Sequence, residues 1–205
     1  MTTHRRSFLT SLTALAGLAT VRPLSSLSAQ TAQGWDLSWL DRLTGKHKQI
    51  FDLADMDMGL VVVRNWLDAW QEVYGLKSPE INAVVGIAGR AFPINANDAL
   101  YQKYPIGELW KVTDPTTGKP ALRNVFLEGS DATVHALQAR GAIFWECNNA
   151  LRNVAGRIGR AVNRPAAEIY PELRAGMNPG VIVVPAHTML VGLCQERGCT
   201  YEVLA

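Results

Sequence analysis

The sequence lacks most of the motifs that announce a common chemistry. It has no CxxC, no GxGxxG after an apolar strand, no GxxxxGK[ST] and no HExxH, which leaves thioredoxin-like, dinucleotide, Walker-type nucleotide and zincin readings without their usual support. Its four histidines, His4, His47, His135 and His187, are dispersed. Asp52, Asp55 and Asp57 surround the exit of the first apolar segment, but no further oxygen ligands follow at a recognisable spacing, so no metal and no other cofactor is expected. No block of Lys and Arg is present, which argues against nucleic acid as a partner. Internal repeats are absent too. With 205 residues, 48% of them apolar, the chain suits one domain with a sizeable core.

Residues 1–29 read as a signal peptide. Arg5 and Arg6 precede an uncharged apolar run from Phe8 to Val21, followed by Arg22, Pro23 and the small-residue stretch SSLSAQ. The run is short for a membrane span, which takes about 20 apolar residues, so membrane contact is expected only if the leader is retained. THRRSFL resembles a twin-arginine signal, which implies export in the folded state to the periplasm; an ordinary secretory leader is the alternative. Cleavage near Ser28 or Ala29 removes three arginines and no acid, taking the formal charge from +2 to −1. Residues 30–46 form an arm that Trp35 and Trp39 would lay on the domain, and residues 47–205 are the domain.

Within that domain, apolar runs alternate with amphipathic patterns. QIFDLAD, INAVVGIAG, AIFWEC, VIVVPA and CTYEVL read as five strands. Helices follow over Gly59–Tyr74, with Val63, Trp66, Leu67, Trp70, Val73 and Tyr74 on one face, and over Asn148–Val162 and His187–Arg197. The alternation predicts a three-layer α/β/α fold with a mainly parallel five-stranded sheet. A long piece, Asn95 to Ser130, interrupts the pattern, and pieces of that length are usually functional or form interfaces. Trp66, Trp70, Trp110 and Trp145 read as core or subunit contacts, and Arg157, Arg160 and Arg164 as a solvated stripe. Asp57 reads as a helix cap.

In open α/β sheets ligands sit beyond the carboxyl ends of the strands. Cys147 closes AIFWEC there and opens the helix that Asn148 or Asn149 would cap. The helix N-terminus favours thiolate over thiol, and the thiolate is both nucleophile and sulfur carrier. A small residue filling a crowded strand end is the competing reading. His187, after VIVVPA, would lie on the same rim as base or charge partner of Cys147, or else face solvent. Arg90, after Gly86 and Gly89, would bind an anionic sulfur species or a carboxylate, or else close a loop. Asn148, Asn149 and Arg90 are therefore the candidate substrate-binding residues, with Cys147 and His187 catalytic. Cys194 and Cys199, five apart, either pair as a local disulfide or stay as small core thiols.

FWECNNALRNVAGRIG followed by IYPELRAGMNPGVIVVPAHTMLVGLCQERGCTYEVL resembles the DsrE/DsrF-like proteins over roughly residues 47–205, in the linked order of Cys147, the VIVVP run and Tyr201. The resemblance implies a DsrE-like fold, a homo-oligomer, and at Cys147 a persulfide passed between a sulfur donor and an acceptor protein. The Asn95–Ser130 stretch and the leader depart from the small cytoplasmic relay members. Two functions are thus expected of the chain: a sulfur carrier or sulfurtransferase, or a non-catalytic binding or assembly module with a structural cysteine.

Overall fold

The computed structural model describes residues 34–204, so the leader, its twin-arginine reading and the first residues of the arm lie outside the described residues. Five strands, β1 His47–Leu53, β2 Ile81–Ile87, β3 Ile143–Cys147, β4 Val181–Val184 and β5 Thr200–Leu204, make one sheet. The helices are α1 Gly59–Tyr74 after β1; α2 Phe92–Asn95, α3 Asp98–Lys103, α4 Ile106–Trp110 and α5 Val134–Ala139 between β2 and β3; α6 Asn148–Val162 and α7 Ala166–Ala175 between β3 and β4; and α8 His187–Gln195 before β5. All strand pairs are parallel and the order is β4-β3-β2-β1-β5.

This order decides where the helices lie. From β1 to β4 the chain steps always toward one edge, and right-handed crossovers put the intervening helices on a single face. From β4 it returns across the whole sheet to β5, so α8 lies on the other face. Packing agrees: Leu151, Val154, Ala155 and Ile158 of α6 join a cluster that reaches Val181 and Val183, whereas Leu190 and Cys194 of α8 pack with Ile50, Val84, Trp145 and Val184 on the opposite pleat. The result is the expected three-layer α/β/α arrangement. The adjacent strands β3 and β4 therefore send their helices to opposite faces, and in open α/β sheets the carboxyl ends of such a strand pair are the usual place for a ligand.

Central β2 is buried along its whole length, as its unbroken apolar run requires. The edge strand β5 is mostly exposed, with Tyr201 and Val203 open to solvent. Helix α1 keeps Val63 and Leu67 buried, but Val73 and Tyr74, read from periodicity as part of that face, are 66% and 67% exposed. The α1 cap is Met58, not Asp57, whose main-chain N–H instead bonds the Asp55 carboxylate at 3.2 Å. Gly75 takes the left-handed conformation that stops the helix.

The Asn95–Ser130 excursion is well packed. Tyr101, Ile106 and Trp110 enter the same cluster as Leu151, Ile158 and Ile169, and the Asn124 amide donates to the carbonyls of Pro93, Ile94 and Ala96. Two members of the arginine stripe, Arg157 exposed and Arg164 partly so, also help hold it. The Arg157 guanidinium lies 4.2 Å from the centre of the Trp110 ring and donates to the Leu109 carbonyl. Arg164 reaches the Tyr104 hydroxyl at 3.2 Å and Glu172 at 3.2 Å. The arm lies on the domain through a 3-10 turn, Ser38–Arg42, that buries Trp39 and Leu40. Cys194 and Cys199 are buried free thiols.

Candidate functional site

Cys147 is the last residue of β3 and stands directly opposite Val184 of β4, at the point where the two helix directions part. Its extended backbone (φ −75°, ψ 119°) makes it the N-cap of α6, one residue before the asparagines expected in that role. The side chain is 5% exposed. Its Sγ accepts a hydrogen bond from the main-chain N–H of His187, the first residue of α8, at 3.3 Å. One sulfur thus sits at the N-termini of two helices that leave on opposite faces.

His187 meets Cys147 through its backbone, and its ring is occupied elsewhere. The Trp145 indole N–H donates to Nδ1 at 3.1 Å. Since Trp can only donate, the neutral ring must carry its proton on Nε2. That nitrogen lies 3.1 Å from Asp52 Oδ1, an ion-pair distance, with the N–H not aligned squarely on the oxygen. The other Asp52 oxygen accepts from the Tyr201 hydroxyl at 2.6 Å. Partial burial works against the Asp52 carboxylate, but the contacts from His187 and Tyr201 outweigh it and hold its pKa below the usual range. Tyr201 in turn is pushed up to about 12, first by its hydrogen bond to Asp52 and then by burial. The chain Trp145–His187–Asp52–Tyr201 ties β3, α8, β1 and β5 together, so His187 positions an N–H on the sulfur and has no ring nitrogen left to act as its base.

Gly86 of β2 makes this arrangement fit. A Cβ there would lie 2.7 Å from the Trp145 ring and 3.0 Å from Cε1 of His187. On the opposite pleat of β3, Glu146 is completely buried. Asn95 Nδ2 donates to its Oε2 at 3.0 Å while Oε1 has no partner among the described residues. Burial raises its pKa well above the ordinary value, an effect the Asn95 bond only partly offsets.

The three expected binding residues separate. Asn148 is buried and its Oδ1 accepts from the Tyr170 hydroxyl, which also accepts from Arg174 at 3.3 Å. Arg174 stacks over Trp35 at 4.6 Å, which joins the arm to α7. Asn149 is exposed. Arg90 is exposed in a neighbouring hollow with Asp55, Asp57, Leu109, Lys111 and Arg157, whose lining does not include Cys147. A further hollow of about 410 Å³, lined by Leu67, Ser78, Ile81 and Gly141, lies at the amino ends of β2 and β3, the far end of the sheet. Among the described residues no group of three or more His, Cys, Asp or Glu side chains could hold a metal ion. Asp52 turns to His187 and Asp55 to the Asp57 backbone.

Sequence reasoning missed the partnership of Asp52, Tyr201, Trp145 and Gly86. Alternation would have put Asp52 on the pleat of Ile50, but only strand order brings β5 beside β1 and α8 across them.

No protein-family model and no curated protein matches the chain. A protein of unknown function, MTH1491 from Methanobacterium thermoautotrophicum, is similar in structure at a TM-score of 0.41 and 16% identity, covering 78% of this chain and 100% of that one.

Proposed function

We propose that the chain is a DsrE-like sulfur carrier or sulfurtransferase that holds a persulfide on Cys147. The observation that carries this reading is the position of the sulfur: at the carboxyl ends of β3 and β4, at two helix N-termini, with the His187 N–H on Sγ. In the step, the Cys147 thiolate attacks the outer sulfur of a persulfide donor R–S–SH. A Cys147 S–S bond forms, the donor S–S bond breaks, and the donor leaves as a thiol. The terminal sulfur then carries negative charge, which main-chain N–H donors are suited to hold. Passing it to an acceptor thiol reverses the step. Export to the periplasm, through a twin-arginine leader, belongs to the same proposal, as does assembly into a homo-oligomer.

The test is intact mass. After incubation with a persulfide donor and removal of excess donor, the protein gains one sulfur atom, and Cys147→Ser does not. An unchanged mass in the parent protein, or the same gain in Cys147→Ser, contradicts the reading.

The second reading, a binding or assembly module with a structural cysteine, draws on two observations. Cys147 is only 5% exposed, and the α8 face presents Met189, Tyr201 and Val203 at 46%, 41% and 52% exposure. Apolar side chains of this kind grouped on one face suit a contact with a second subunit. A mass that does not change, in a protein whose oligomer dissociates on Met189→Lys, selects this reading.

A further inference from the structure

The hollow around Arg90 is a second place on the same rim with features that call for a ligand, and its reading does not depend on sulfur chemistry at Cys147. It encloses about 360 Å³ between the ends of β1 and β2 and the excursion, lined by Asp55, Met56, Asp57, Arg90, Leu109, Trp110, Lys111 and Arg157. Three cationic and two anionic side chains face it, leaving one net positive charge. The side chains of Arg90 and Lys111 have no ion-pair or hydrogen-bond partner among the described residues. Trp110 is 8% exposed, and its indole N–H is buried without an acceptor among the described residues.

Lys111 adds an independent sign. It caps α4 with φ 58° and ψ 35°, a left-handed conformation that glycine or asparagine usually supplies. A long basic side chain held in a strained backbone position beside a hollow is the pattern found where the side chain has work to do. The ring of Trp110 is flanked by Arg157 at 4.2 Å and Phe92 at 5.4 Å, so it forms a wall of the hollow and offers no free stacking face.

We propose that this hollow binds a small organic acid of single net negative charge that also carries hydroxyl or ammonium donors, that is, a hydroxy acid or an acidic amino acid. Its carboxylate is held by Arg90 and Lys111, and its own donors meet Asp55 and Asp57. Two carboxylates in the wall disfavour a multiply charged phosphate. They also give the ligand's donors something to bond, which a bare carboxylate such as acetate cannot use.

Titration calorimetry with L-glutamate and with glycerate as probes, and acetate as control, tests the proposal. At least one of the two probes shows saturable binding, at least about tenfold tighter than acetate. Arg90→Gln and Lys111→Gly each weaken it about tenfold or more, and Cys147→Ser leaves it unchanged. Lys111→Gly relieves a left-handed lysine, so its melting temperature stays level or rises, which separates loss of binding from loss of fold. No saturable binding of either probe, acetate binding as tightly, or binding that survives either substitution overturns the proposal. A loss in Cys147→Ser would overturn the independence of the two sites.

Discussion

Replacing Glu146 by glutamine should stabilise the protein, by an amount that grows with pH. The carboxyl is completely buried, and its only hydrogen-bond partner among the described residues is a neutral amide, Asn95 Nδ2 at 3.0 Å. Its folded-state pKa is therefore raised well above the ordinary value, chiefly by burial. In the unfolded chain the group ionises in the ordinary carboxylate range, while in the fold it keeps its proton. Between those two pKa values the folded state binds more protons, so stability falls as pH rises, at about 1.4 kcal/mol per pH unit for a single group. Glutamine keeps an acceptor for Asn95 and has no proton to lose. Urea unfolding of both proteins as pH rises above the ordinary carboxylate range should show a gap in favour of Glu146→Gln that widens with pH, at no more than about 1.4 kcal/mol per unit. Comparing the pair cancels other titrating groups. A gap that stays constant with pH would refute the neutral acid.

Other outcomes follow from the Trp145–His187–Asp52–Tyr201 chain. Asp52→Asn removes the charge that raises the phenol of Tyr201, so in an ultraviolet tyrosine titration, with Tyr201→Phe as blank, the component near pH 12 should move down toward the ordinary tyrosine range. Gly86→Ala drives a methyl to within 2.7 Å of Trp145 and 3.0 Å of His187, and should cost about 1–3 kcal/mol in urea unfolding. The same substitution should slow persulfide formation at Cys147, because His187 carries the N–H that meets the sulfur.

Parts of the structure were readable in the chain because local chemistry fixes them. α1 and α6 follow from amphipathic periodicity over 16 and 15 residues, and the five strands from apolar runs too short and too β-branched for helices. α2, α3 and α4 were not readable, being four to six residues long and set by packing on α6 and α7. α7 carries Pro171 inside it, and proline reads as a breaker in isolation, although Ile169 and Leu173 are buried on the core face. At the site, Cys147 and His187 were placed correctly on the rim because each ends or follows an apolar strand. What the side chains do there was hidden. The spacing of 40 residues between Cys147 and His187 says nothing of a main-chain N–H on sulfur, or of an imidazole turned toward Asp52. Arg90, expected to bind an anionic sulfur species or a carboxylate, lines a hollow whose walls do not include Cys147, with its 3-10 turn beside Leu109, Trp110 and Arg157.

The account rests on a sulfur that reagents reach without unfolding the protein, and native-state alkylation tests that most directly. With peptide-level mass readout near neutral pH, Cys147 should be modified by a small alkylating reagent at a rate independent of low denaturant, about tenfold or more faster than fully buried Cys194. Modification of Cys147 that occurs only as fast as the whole domain unfolds, in step with Cys194, would contradict it.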